Sequence, residues 1–162
     1  LFNCAFRSTK ELATKGGYLF GWMMDALMLG VGVGFDTLGA NTFTIKEPEY
    51  TGDTLVIDDT REGWVNSVHT LLDGFFLGNK VPKFDYSAIR LAGAKINGFG
   101  GTSSGPAPLI ELHGSLTELF SSKIGEPITS VDILLEDALC LATFVVLQHS
   151  PWAPMTIGDF LR

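Results

Sequence analysis

Gly98-Phe99-Gly100-Gly101-Thr102-Ser103-Ser104-Gly105-Pro106 is the stretch on which the reading of the chain turns. Its four glycines permit positive φ and leave backbone amides unshielded, and its proline stands where a helix begins. Amides converging on a helix N-terminus suit an anion such as phosphate, and Thr102, Ser103 and Ser104 add donors without adding charge. A flexible glycine–serine linker has the same composition. The flanks favour the first reading. The alternating segment Lys83-Phe84-Asp85-Tyr86-Ser87-Ala88-Ile89 runs in, and Leu109, Ile110, Leu112, Leu116, Leu119 and Phe120 run out at helical spacing to a stop near Gly125 and Pro127. The glycines therefore lie inside a strand, loop and helix unit.

The 162 residues are 46% hydrophobic and 11% aromatic, enough to bury the core of one domain and too apolar for disorder. A net charge of -7 argues against general nucleic-acid binding, although a pocket for one nucleotide needs only a few donors. Cys4 and Cys140 stand too far apart in sequence for a disulfide framework or zinc spacing. No signal-peptide pattern and no apolar run of membrane length occurs, so the expectation is a reducing, cytoplasmic compartment with neither nucleic acid nor membrane as partner. The chain opens on Leu1-Phe2-Asn3-Cys4-Ala5-Phe6, without an initiator methionine and already in strand pattern, as expected of a piece of something longer.

Residues 1–8 alternate as a strand that places Phe2, Cys4 and Phe6 on one inward face. On that pattern alone Cys4 reads as a small buried hydrophobe. Residues 8–16 are polar and read as a loop or short turn. Tyr18 to Leu29 is apolar except for Asp25 and predicts a buried helix, which stops at Gly30-Val31-Gly32-Val33-Gly34-Phe35. That G-x-G-x-G spacing is not the dinucleotide fingerprint, and it leaves open a ligand site or a strand pressed against another backbone. Strand pieces follow at Asn41–Ile45 and Thr54–Ile57, separated by a solvated acidic rim at Glu47-Pro48-Glu49.

Asp59 and Glu62 have capping-box spacing ahead of a helix whose Trp64, Val65, Val68, Leu71, Leu72, Phe75 and Phe76 share one face, with Gly78 as its stop. Lys80 to Ile89 is the next strand. Strands and helices alternate, which predicts an α/β architecture with parallel strands and ligands at loops beyond the strand ends. The catalytic inventory is thin. His69, His113 and His149 have no metal spacing, no serine nucleophile elbow occurs, and no metal is predicted.

Four motifs in one order carry a resemblance: Asn3-Cys4, Leu27 to Phe35, Asp59-Thr60-Arg61-Glu62-Gly63-Trp64, and Gly93-Ala94-Lys95-Ile96-Asn97-Gly98 through Pro106. With this spacing the chain resembles the ribonucleotide reductases, the monomeric adenosylcobalamin-dependent ribonucleoside-triphosphate reductases above all. The resemblance covers residues 1 to about 133. It implies an α/β fold that is part of a ten-stranded α/β barrel with a radical site at its centre. Residues 1–133 would be the N-terminal part of that catalytic barrel, and 134–162 a divergent tail such as a truncated or misread reading frame leaves. By resemblance Cys4 is a redox cysteine on the first barrel strand, one half of the pair that reduces substrate. Asn3, Gly32, Val33 and Gly34 fall where the family binds its ribonucleotide. Gly98, Phe99, Gly100, Gly101, Thr102, Ser103, Ser104, Gly105 and Pro106 resemble the specificity loop through which a deoxynucleotide effector selects the base. The implied cofactor is adenosylcobalamin, whose binding segments are not expected in this chain, and the implied reductant is thioredoxin-like.

The resemblance also shows what is missing. The family's radical cysteine, acid–base glutamate and second redox cysteine lie on later strands, and no Asn-Pro-Cys-Gly-Glu motif occurs here. These residues alone are therefore not expected to complete a turnover, and Cys140 is read as a core thiol. A reductase of another class, a related glycyl-radical enzyme, and a nucleotide-binding module that keeps the loops without the chemistry stand as alternatives.

Overall fold

The computed structural model describes residues 4–95 and 102–136. Asn3, Gly98, Phe99, Gly100, Gly101 and Cys140 lie outside the described residues. Strand β1 (Cys4–Arg7) leads through a short helix α1 (Leu12–Lys15) into helix α2 (Tyr18–Met28) and strand β2 (Gly32–Phe35). Strand β3 (Glu49–Val56), helix α3 (Arg61–Leu77) and strand β4 (Lys80–Asp85) form a second unit of the same kind, followed by helix α4 (Ala107–Ser121). Both strand pairs are parallel, with Cys4 opposite Gly32 in one and Leu55 opposite Phe84 in the other. The predicted parallel α/β alternation is observed. The strands form two separate two-stranded sheets among the described residues, with no closed sheet.

The helices form where the apolar spacing places them. Along α3 the buried residues are Trp64, Val68, Leu71, Leu72, Phe75 and Phe76, a stripe at i, i+3, i+4 and i+7. Phe76 is the hub of the core, with ring centroids 5.9 Å from Phe20 of α2, 5.2 Å from Phe43 and 5.0 Å from Phe120 of α4. Each such buried aromatic contributes on the order of 2 kcal/mol by leaving water, so this cluster is what binds the two βαβ units together. Gly74 lets α3 approach β4, since a Cβ there would fall 2.3 Å from Val81 Cγ2. The helix ends as expected, at Gly78 in the left-handed region (φ 78°).

Three local expectations are corrected. The cap of α3 is one residue later than the Asp59–Glu62 spacing suggests: Thr60 accepts from the Gly63 amide at 3.0 Å. Asp59 instead accepts from Arg90 at 2.5 Å, an ion pair to which the capping pattern is blind. Residues 8–16 include the helical turn α1, because Leu12 is fully buried and pulls the segment onto the core. Asn41–Ile45 forms no strand of its own and makes a single antiparallel bridge, Thr44 to Pro127. Thr42 turns back on Gly39, while the longer-range hydrogen bonds go to residues 125–128: Asn41 N to Ile128 O at 2.7 Å, Ile45 N to Glu126 O at 2.9 Å and Gly125 N to Ile45 O at 2.9 Å. The chain thus enters and leaves the β3–α3–β4–α4 region at one place.

Candidate functional site

Successive residues of a strand face opposite sides of its sheet. Ala5, Arg7, Val33 and Phe35 are half-buried on one side of the β1–β2 sheet, and the Arg7 guanidinium lies over the rings of Tyr18 and Trp22 of α2, 5.7 and 5.5 Å from their centroids. Cys4, Phe6, Gly32 and Gly34 occupy the other side and are exposed. The expectation that Cys4 and Phe6 point into a core is therefore corrected: α2 covers the opposite face, and Phe6 is 66% exposed. Cys4 is a free, exposed thiol. A Cβ on Gly34 would meet only the Phe6 ring at 3.7 Å, an ordinary contact, so strand packing does not demand glycine there. The glycines leave the β2 backbone bare beside the thiol, with the Phe6 ring next to Gly34.

The carboxyl ends of the two strands are locked together. Asp36 Oδ1 accepts from the Thr9 amide at 2.9 Å, the Thr9 hydroxyl at 2.9 Å and the Leu38 amide at 3.1 Å, while Thr9 Oγ1 accepts from the Gly39 amide at 2.9 Å. Burial alone would raise the Asp36 pKa, but hydrogen bonds from Ser8, Thr9 and Leu38 outweigh it and hold the carboxyl below the usual aspartate value.

The glycine loop has a built stem. Gly93 N donates to Ser103 O at 2.8 Å, Ser103 N donates to Ala94 O at 2.7 Å, and Lys95 bridges Thr102. Gly105 sits at φ 76° with its amide on Ser103 Oγ at 3.0 Å, and a Cβ there would come 3.0 Å from the Ala92 nitrogen. Pro106 then caps α4, as its position in the sequence predicts. Of the predicted loop residues, Thr102 to Pro106 are thus placed at the entry of α4.

A buried polar chain, which no sequence spacing announces, runs beside a groove of about 630 Å³ between β4 and α4. The Tyr86 hydroxyl is 2.7 Å from His113 Nδ1, and His113 Nε2 is 3.1 Å from Ser67 Oγ. Ser67 gives its one hydroxyl proton to Trp64 O at 2.7 Å, so His113 must donate from Nε2 and accept at Nδ1. Burial lowers the imidazole pKa from 6.5 to about 4, keeping it neutral. With its proton committed to a carbonyl, Ser67 is no nucleophile, and the chain is a structural relay. His69 pairs with Asp73 at 3.2 Å, whose carboxylate also accepts from Gly17 at 2.9 Å, so this histidine too has a packing role.

Both His113 nitrogens are engaged, and among the described residues no group of three or more His, Cys, Asp or Glu could hold a metal ion. No helix among them is long and apolar enough to cross a membrane.

Two parallel βαβ units, an exposed thiol beside the glycines of β2 and a stem leading into α4 together define a parallel α/β segment. Comparison with known proteins places that segment. The family described as "B12-dependent ribonucleotide reductase, insertion domain" matches residues 37–120, just over half of the chain. The adenosylcobalamin-dependent ribonucleoside-triphosphate reductase of Euglena gracilis is 50% identical over 133 residues, 80% of this chain and 18% of that protein. A probable enzyme of the same name from Dictyostelium discoideum is 43% identical over 151 residues, 83% of this chain and 20% of its own length. A crystal structure of a B12-dependent, class II ribonucleotide reductase superposes with a TM-score of 0.66 at 28% identity, covering 80% of this chain and 23% of that one. The chain belongs to the B12-dependent ribonucleotide reductase family, and it spans about a fifth of the length of the curated relatives it matches.

Proposed function

We propose that this chain is the segment of a ribonucleoside-triphosphate reductase that carries one of the two reducing thiols, Cys4, and the loop that reads a deoxynucleotide effector. The observation that supports it best is the position of Cys4, exposed on β1 and in register with Gly32 on the open face of a parallel sheet. Replacing a 2'-hydroxyl by hydrogen takes two electrons and two protons. Two thiols supply them in becoming a disulfide, and the hydroxyl leaves as water. A thioredoxin-like dithiol then restores the pair. On this reading Gly32 and Gly34 line the ribonucleotide beside Cys4, together with Asn3, and Val33 contributes only its backbone, because its side chain lies on the side of the sheet that α2 covers. By the resemblance, the thiyl-radical cysteine would belong to later strands of the reductase, and adenosylcobalamin, on which enzymes of this name depend, would supply the radical chemistry.

Residues 1–133 are on this reading the N-terminal part of the catalytic half. Strands β1 and β2 are barrel strands, and the matched span 37–120 is a unit set into them, with 134–162 a divergent tail. Support comes from the hydrogen bonds that join segments 41–45 and 125–128, because a unit inserted into an existing fold must leave close to where it entered. The test is an assay of the full-length protein with a ribonucleoside triphosphate, adenosylcobalamin and a dithiol. Formation of the 2'-deoxynucleotide is expected. Nucleotide binding with no product would favour a binding module instead.

A further inference from the structure

Helix α4 carries a glycine that its packing does not require. Gly114 lies in the middle of Ala107–Ser121, and a Cβ built on it would meet nothing within 4 Å. Glycine is among the least favourable choices for a helix interior, so neither propensity nor close approach accounts for it. Its effect is to leave open the groove of about 630 Å³ between β4 and α4, which it lines. The hydroxyls of that groove are a second, independent feature. Half-buried Phe84, Tyr86 and Thr117 and buried His113 make its floor, and exposed Lys83 and Glu118 stand at its mouth. The Tyr86 hydroxyl gives its proton to His113 Nδ1 at 2.7 Å, Thr117 Oγ1 gives its own to the His113 carbonyl at 2.7 Å, and the His113 Nε2 proton is taken by Ser67 at 3.1 Å. Every side-chain donor of the floor is therefore committed, and what remains for a guest is lone pairs.

We propose that this groove is a binding site for a small, neutral aromatic molecule with an N–H donor on its edge, held by ring contacts with Phe84 and Tyr86 and by a hydrogen bond to the Tyr86 oxygen. The volume is that of a small-molecule site, and such sites combine apolar walls with a few fixed polar groups. The rings of Phe84 and Tyr86 are already set against His113, with centroids 4.7 and 5.7 Å from it, so the aromatic wall is ordered before a guest arrives. Lys83 and Glu118 bring opposite charges to the mouth, which favours a guest without net charge, and the carboxylate repels a phosphate. None of the lining residues belongs to β1, to β2 or to residues 98–106, and the inference stands independently of the role proposed for Cys4.

The test titrates the full-length protein calorimetrically with indole and with benzofuran, which has the same shape and an oxygen in place of the N–H. Indole is expected to bind with about millimolar affinity, roughly three-fold to ten-fold more tightly than benzofuran. Tyr86→Phe should bring indole down to the level of benzofuran and leave benzofuran unchanged. Gly114→Leu fills the groove and improves the helix, so it should abolish binding of both probes without lowering the unfolding temperature. Absence of saturable binding, equal affinity for the two probes in the parent, or undiminished indole binding by Gly114→Leu would each overturn the proposal. Displacement of indole by a ribonucleoside triphosphate or a deoxynucleotide would overturn it as well, by giving the groove to a nucleotide. These outcomes are read without Tyr86→Phe, so the proposal stays falsifiable even where that variant fails to fold.

Discussion

Cys4 and Gly32 face each other as Cα partners across a parallel sheet, and neither is covered. A thiol next to a residue without a side chain is open to reagents of any shape that approach from that face. On the far side of the same sheet, Arg7 is held over Tyr18 and Trp22, which fixes the strand and hence the direction of the thiol. The strand is thus anchored from below and free above, the arrangement a thiol needs if it must meet both a substrate and a partner thiol.

Removal of that sulfur should separate chemistry from binding. In the full-length enzyme, Cys4→Ser is expected to abolish sustained turnover with a dithiol reductant while leaving ribonucleotide affinity largely intact. Serine keeps the size of the side chain and cannot form a disulfide. Undiminished multiple turnover by the serine variant would show that another thiol does the work.

Gly105 offers a test of the loop stem in which sterics decide the sign. Its φ of 76° is costly for any residue with a Cβ, and that Cβ would press on the Ala92 nitrogen at 3.0 Å. A β-branched side chain suffers most in this region. Gly105→Val is therefore expected to destabilise by about 2–3 kcal/mol, combining the left-handed backbone cost with displacement of the stem. Gly93→Ala, at φ 85° with open space around its missing Cβ, should cost about 1 kcal/mol. Urea unfolding midpoints check both, and equal losses would mean that contact with Ala92 is irrelevant.

The helices were legible in the sequence because their signal is periodic: Val68, Leu71, Leu72, Phe75 and Phe76 recur at one spacing and are buried together. The parallel pairing of β1 with β2 was legible from alternation of strands and helices. What stayed hidden is long-range. Arg90 reaches Asp59 across 31 positions and His113 reaches Ser67 across 46, and no local pattern encodes such a meeting. The exposure of Cys4 was hidden for another reason. Alternation tells which residues share a face, and it cannot tell which face a helix will cover. Resemblance to the reductases gave Cys4 a redox role and left the side of the sheet it faces open.

The turn at Thr129 contains a capping box that local spacing does encode. Asp132 Oδ2 accepts from the Thr129 amide at 2.8 Å and the Thr129 hydroxyl at 2.7 Å, and the Asp132 amide donates back to Thr129 Oγ1 at 3.3 Å. The other oxygen of this fully buried carboxylate meets Lys123 Nζ at 2.8 Å. Burial would raise its pKa, but Lys123 and Thr129 outweigh that and hold it down. Asp132→Ala is expected to cost about 1–3 kcal/mol, and Thr129→Ala about 1 kcal/mol. Because both act on one cap, the double variant should lose less than the sum. Strict additivity in thermal unfolding would mean that the two residues act separately.

His113 gives the fold a pH dependence whose direction follows from its burial. The folded imidazole has its pKa lowered from 6.5 to about 4. Above pH 6.5 both folded and unfolded forms are neutral there, and the residue costs nothing. As pH falls below 6.5 the unfolded chain takes up a proton that the folded chain refuses, so stability declines until the folded pKa is reached. Between pH 7 and 5 the loss should be roughly 2 kcal/mol. Asp36 and Asp132 have carboxyls held below 3.8, so their own losses begin at lower pH and leave this window to the histidine. His113→Gln is the matching control, since an amide can accept from Tyr86 and donate to Ser67 as the neutral ring does but does not titrate. Urea midpoints at pH 5 and 7 should differ clearly for the parent and much less for the glutamine variant. An identical pH slope in the two proteins would place the acid sensitivity elsewhere and remove the case for a neutral, buried imidazole at this position.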